Sequence, residues 1–212
     1  MDFGAPHQTC NIWPPADTVV RRAVPYFLKE ILDLGAGEGR NALYLLEKFR
    51  LECVDISKDR LQKIEQHAEK YSRLTTHLGD LNSYRFKKMH ENIVCTFVFH
   101  LLTKQKTYSL IQSMQYATIP GGIHVLCGFE PEKKCTSHEN GVLNLETLRM
   151  LYEDWEMLFC NKISQERDPI SEDHGQYASH IYNVIVRKPE KMVSTVIPIP
   201  LHFPTLPKWS YT

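Results

Sequence analysis

Ile31-Leu32-Asp33-Leu34-Gly35-Ala36-Gly37-Glu38-Gly39-Arg40-Asn41 decides how the rest of the chain is read. Residues 31–34 are apolar apart from one carboxylate, the pattern of a short strand buried on both faces. Three glycines at alternate positions follow. Arg40-Asn41-Ala42-Leu43-Tyr44-Leu45-Leu46 then carries helical spacing. A strand that runs through glycines into a helix presents backbone N–H groups and a positive dipole end to a ligand above it. Glycine lets the ligand approach the backbone and adopts φ values that other residues avoid.

Several ligand classes use such a turn. A nicotinamide or flavin site reads G-x-G-x-x-G, but the third glycine position holds Arg40. A P-loop ends in Gly-Lys-Ser/Thr, which is absent. The pattern present is acid-x-Gly-x-Gly-x-Gly, from Asp33 to Gly39. It resembles motif I of the class I S-adenosylmethionine (SAM) methyltransferases, where the turn holds the methionine part of the cofactor. An ordinary tight strand-to-helix turn is the competing reading.

A chain of 212 residues is long enough for one domain with a full core. Its 25 basic and 25 acidic residues cancel, so there is no charge footprint for nucleic acid and no polybasic membrane patch. No apolar run has the length of a membrane span, and the N-terminus lacks the pattern of a signal peptide. The six cysteines (10, 53, 95, 127, 135 and 160) form no C-x-x-C pair. Cys53, Cys95 and Cys127 fall in core-type strands, so a reduced, cytoplasmic compartment fits better than a disulfide framework. No metal-ligand spacing is present.

Three regions emerge: an irregular, proline-containing segment over 1–16, a main domain over 17–188, and a proline-rich tail over 189–212. Phe3 and Trp13 anchor the first, as a lid or as plain cover. Asp17 is placed to cap a helix through Val24, which Pro25 ends. Strands are expected at 51–56, 74–78, 92–99 and 123–129. Helices are expected at 58–71, capped by Ser57, and at 104–117. Pro120-Gly121-Gly122 reads as a turn and 130–141 as a polar loop. Asn144 caps a further helix, and 154–164 with 180–187 reads as a strand pair. Strands alternating with helices predict an α/β fold: an open, mostly parallel sheet with helices on both faces.

Such a sheet binds its ligand beyond the carboxyl ends of the strands, where strand order reverses. Asp55 ends the second strand, where two carboxylate oxygens match the vicinal hydroxyls of a ribose. Asp80 follows the third, where it can accept from the exocyclic amine of adenine, with Ile56 and Leu81 against the ring faces. Thr96 lies near the end of the fourth, beside the reacting centre. With Asp33, Gly35, Ala36 and Gly37 in the turn, these residues outline a cofactor site. Each acid taken alone could equally be a cap or a turn residue. Arg40 has two open readings, a planar fork on the cofactor carboxylate or a surface ion pair.

The runs D-L-G-A-G-E-G-R-N-A-L-Y-L, V-D-I-S, G-D-L-N, T-F-V-F-H-L-L, S-M-Q-Y-A-T-I-P-G-G and L-R-M-L-Y-E-D-W-E together resemble the TehB family of SAM-dependent methyltransferases. The resemblance covers roughly residues 30–188. It implies a Rossmann-like, seven-stranded sheet with an antiparallel last strand. It also implies methyl transfer from SAM to a small nucleophile, including tellurium or selenium oxyanions. The family carries arginines before the last strand, thought to bind an anionic acceptor. Residues 168–180 here hold His174, Gln176 and His180 but no arginine, so the acceptor stays open.

Methyl transfer from a sulfonium is a direct displacement that needs alignment and desolvation more than a strong base. For an acceptor that must lose a proton, His100 and His174 are the candidates, because imidazole titrates near neutrality. The alternative for each is a packing or surface histidine. DNA amine methylation is disfavoured, because Thr96-Phe97-Val98-Phe99 replaces an Asn/Asp-Pro-Pro-aromatic clamp. The expected function is methyl transfer to a small molecule. A protein methyltransferase and a SAM-binding interaction module without turnover are the alternatives, and the oligomeric state is left open.

Overall fold

The computed structural model describes residues 16–131, 141–164 and 178–190. The segment 1–15, most of the loop 130–141, His174 and the tail from 191 lie outside the described residues. The elements run in the order α1 (Thr18–Ala23), β1 (Glu30–Leu34), α2 (Arg40–Leu45), β2 (Arg50–Asp55), α3 (Lys58–His67), β3 (Leu74–Leu78), β4 (His90–Thr96), α4 (Lys104–Tyr116), β5 (Thr118–Pro131), α5 (Leu145–Leu151), β6 (Glu156–Ser164) and β7 (Ala178–Arg187).

Seven strands form one sheet in the order β3-β2-β1-β4-β5-β7-β6. β1 to β5 pair in parallel, and β7 runs antiparallel to both β5 and β6. This is the sheet expected from the sequence. Strand alternation builds a core on each face. Ile31, Leu51, Cys53 and Val94 pack with Val20 of α1, Ala42 of α2 and Ile64 of α3. Leu32, Leu34, Val54, Ile93 and Cys95 pack with Ile111 and Met114 of α4 and Leu148 of α5. Alternation puts Asp33 on the α1–α3 side with Ile31.

Local signals place most helix starts. The Ser57 hydroxyl accepts from Arg60 N at 3.4 Å, Thr103 from Lys106 N at 3.3 Å, and the Asn144 side chain from Thr147 N at 2.7 Å. Each such cap is worth about 1 kcal/mol.

Three expectations need correction. Asp17 precedes α1 but its side chain makes no cap; its carboxylate turns instead to α2. The strand expected to reach Phe99 stops at Thr96. Phe97 there takes φ +54°, the one positive φ outside glycine among the described residues, and a 3-10 turn follows over Phe99–Leu101. The Pro120-Gly121-Gly122 stretch lies inside β5 rather than before it. Thr118 pairs with His90 and Ile123 with Asn92, so the residues between them bulge out of register. Gly121 N donates to Lys188 O at 2.9 Å and Lys188 N to Gly122 O at 2.8 Å, which ties the bulge to the end of β7.

Candidate functional site

A cavity of about 450 Å³ opens above the carboxyl ends of β1 to β4. It lies where strand order reverses between β1 and β4, the position a ligand takes in such sheets. Its volume suits a ligand of nucleoside size.

The glycine turn forms one wall, but not in the way its sequence suggests. Gly35 N and Ala36 N both donate to Val54 O, and Gly39 N donates to Ala36 O. Gly37 N donates to Asp55 Oδ2 at 2.9 Å. These N–H groups are therefore spent inside the protein, and α2 is only six residues long. What the turn offers is space. A Cβ on Gly35 would sit 2.4 Å from Val98 Cγ2, and one on Gly39 would sit 2.8 Å from Ile64 Cγ1. At Gly37, with φ +57°, a Cβ would meet nothing within 4 Å. Gly35 and Gly39 thus leave no room for a side chain, whereas Gly37, which lines the cavity together with Gly35, does.

Asp55 is buried, and each oxygen accepts one backbone bond: Oδ2 from Gly37 N and Oδ1 from Ser57 N, both at 2.9 Å. Arg60 stands 4.0 Å away. An ionised carboxylate has about four acceptor positions, so both oxygens keep capacity toward the cavity. Asp80 is exposed on the opposite wall. Its Oδ1 accepts from Asn82 N and Nδ2, each at 2.9 Å, and these bonds hold its carboxyl below the usual range. Ile56 and Leu81 also line the cavity, with Ile56 66% exposed.

Asp33 lies beneath the turn, 2% exposed and outside the cavity lining. Its Oδ2 is buried with no hydrogen-bond partner among the described residues. Burial first, then the charges of Asp17 and Asp55, push its carboxyl up to about 7, against the opposing pull of Arg40. The floor of the site therefore favours a ligand that brings positive charge.

Thr96 is buried on the cavity wall, and its hydroxyl accepts from Asn41 Nδ2 at 3.0 Å. Arg40 lines the same wall. Its guanidinium donates to Asp17 Oδ2 at 2.8 Å and lies 5.6 Å from the Phe97 ring centroid. The ion pair of the two sequence readings is therefore present, and the side chain still borders the cavity. His100 sits on the 3-10 turn with its ring edge-on to Phe129 at 5.0 Å, beside the cavity rather than on its wall. Burial pushes the thiols of Cys53, Cys95 and Cys127 upward, so they stay protonated and act as core residues.

The sequence reading missed Asn41 and Asp17. The signal for Asn41 was a carboxamide one residue past Arg40 in the first helical turn, next to apolar Ala42; its burial shows only in the fold. The local reading of Asp17 as a cap hid its long-range partners.

A family model described as "Tellurite resistance protein TehB" matches residues 16–172. The chain belongs to the TehB family. A probable SAM-dependent methyltransferase TehB of Haemophilus influenzae strain 10810 is 27% identical over 163 residues, which cover 75% of this chain and 57% of that protein. The chain thus spans a little over half the length of that TehB relative. The crystal structure of TehB from Haemophilus influenzae superposes with a TM-score of 0.69 at 26% identity, covering 80% of this chain and 61% of that one. The N-methyltransferase NodS of Bradyrhizobium japonicum WM9, in complex with S-adenosylhomocysteine (SAH), shares the fold at TM-score 0.66 and 16% identity, with 81% and 84% coverage. The TehB match begins at residue 16, so it takes in α1 as well as the motif that first suggested the family.

Proposed function

We propose that the chain is a SAM-dependent methyltransferase acting on a small-molecule acceptor, with residues 17–188 as its catalytic domain. The observation that carries this reading is the meeting of Gly37, Asp55 and Asp80, from three neighbouring strand ends, around one cavity. The residues present fit the cofactor. Asp55 has oxygens to spare for two ribose hydroxyls, and Asp80 Oδ2 is left for the amine of adenine. Ile56 and Leu81 supply apolar surface for the ring, and Gly37 gives the methionine part room against the backbone. Asp33, whose carboxyl burial raises to about 7, can ionise under a cationic ligand. The name of the Haemophilus influenzae relative supports the same cofactor.

SAM supplies a methyl group on a sulfonium. The chain's part is to hold the donor, align the acceptor near Thr96 and Phe97, and exclude water. Arg40 is proposed to meet the carboxylate of the cofactor. His100 and His174 are proposed as proton acceptors for substrates that must be deprotonated. Tellurium or selenium oxyanions are the acceptors suggested by the family, and a thiol-type nucleophile is a further candidate. Cys53, Cys95, Cys127 and Cys160 are free, which supports a reduced, cytoplasmic setting. Among the described residues no helix is long and apolar enough to cross a membrane.

SAH release tests the proposal. The protein is incubated with SAM and, in turn, thiols, selenite and tellurite. Acceptor-dependent SAH supports the enzyme; SAM binding with no release from any of them leaves a binding module instead.

A further inference from the structure

We propose that Asp17 is a positioning residue of the cavity: it aims the Arg40 guanidinium at the amino-acid end of the bound cofactor and locks the Asn41 carboxamide into the wall beside it. The inference rests on the reading of the cavity as a SAM site.

Asp17 stands at the start of α1, more than twenty residues before the side chains it holds. Its Oδ2 accepts from Arg40 at 2.8 Å and from Asn41 Nδ2 at 3.0 Å. Its backbone N–H donates to Asn41 Oδ1 at 2.9 Å. The Asn41 carboxamide is thus gripped at both ends by one residue, and its other amide hydrogen reaches Thr96 on β4. This ties α1, α2 and the end of β4 into one wall. Charge-assisted bonds of this length are among the stronger polar contacts. The Asp17 side chain is 12% exposed, so solvent screens the pair little, while Arg40 at 38% keeps a face toward the opening.

Geometry explains what the grip does. Arg40 has five N–H donors in a rigid fork, and among the described residues only Asp17 accepts from it. With one edge fixed by Asp17 and one face over Phe97, the remaining donors are oriented before any ligand arrives. Pre-set donors cost less to order on binding than mobile ones. Phe97 holds this place at positive φ, a strained conformation of the kind retained at binding sites. The chemistry recognised is a carboxylate, and the donor's only carboxylate is on its amino-acid part.

Calorimetry with two ligands separates this role from a structural one. SAH carries the amino-acid part; 5′-methylthioadenosine has the same nucleoside and thioether without it. Asp17→Asn is expected to weaken SAH about tenfold and to leave 5′-methylthioadenosine within twofold of wild type. Asp17→Asn combined with Arg40→Met should be no weaker for SAH than Arg40→Met alone, because Asp17 acts through Arg40. If Asp17→Asn does not fold, as judged by thermal unfolding, Asp17→Ser supplies a residue suited to a helix start without the carboxylate and carries the same expectation. Equal losses for both ligands, or no loss for either, overturn the positioning role. Wild type that binds neither ligand overturns the cofactor reading itself, and this inference with it.

Discussion

Gly37 donates its backbone N–H to Asp55 Oδ2 across 2.9 Å, so the turn after β1 and the acid that ends β2 form one unit. A ligand that touches one of them meets the other already in place. The glycines of that turn should then behave differently on substitution. Gly35→Ala drives a methyl group against Val98 at 2.4 Å and also strains a positive φ, at a cost of about 1–3 kcal/mol for overpacking alone. Gly37→Ala meets no atom of the described residues and carries about 1–2 kcal/mol of backbone strain. Thermal unfolding should therefore show the larger loss for Gly35→Ala. SAM titration should show at least tenfold weaker binding for Gly37→Ala in protein that is still folded.

Asp33 makes the ligand-free protein less stable as pH rises. Its carboxyl is raised to about 7 in the folded chain from an ordinary value of 3.8. Between those values the folded state holds a proton that the unfolded state has lost, so stability falls as pH climbs from about 4 to 7. Asp33→Asn removes this penalty. At pH 8 the variant should be more stable than wild type by about 1–4 kcal/mol in urea unfolding, and at pH 4 the two should converge. Its SAM affinity should fall at pH 8, because the charge under the cavity is gone.

His124 works in the opposite sense. Thr118 Oγ1 donates to Met114 O at 2.7 Å and lies 2.7 Å from His124 Nε2. The hydroxyl hydrogen is used, so Nε2 donates to Thr118 and Nδ1 accepts from the Tyr152 hydroxyl at 2.9 Å. Burial, with a smaller effect of Lys188, lowers this imidazole to about 3. Between about 3 and 6.5 the unfolded state binds the extra proton, so stability is lost as pH falls through that window. The Asp33 and His124 slopes oppose each other in wild type between about pH 4 and 6.5. Asp33→Asn should expose the His124 slope, about 1.4 kcal/mol per pH unit at most. A flat profile for that variant over pH 4–6 would contradict the neutral imidazole.

The fold was legible because its signals are local. Apolar runs at 31–34 and 92–96 need two covered faces, and Ser57 and Asn144 cap the helices they precede. The antiparallel last strand came from family resemblance, which the sheet bears out. The site was legible where a residue's place on a strand end fixes its direction, as at Asp55, Asp80 and Thr96, all of which border the cavity. It was illegible where a distant partner outcompeted a neighbour. Asp17 has the chemistry of a cap, but a guanidinium and a carboxamide from α2 take its carboxylate. Phe97 to Phe99 has strand composition, but the chain leaves the sheet after Thr96 through a positive φ that composition does not encode.

The cavity above β1 to β4 is proposed to bind SAM through a ribose site at Asp55. Calorimetric titration of SAM into wild type and Asp55→Ala, both checked for folding, tests it most directly. Saturable one-to-one binding is expected for wild type, with at least tenfold weaker binding by the variant. An unchanged affinity in Asp55→Ala, or no binding by folded wild type, would contradict it.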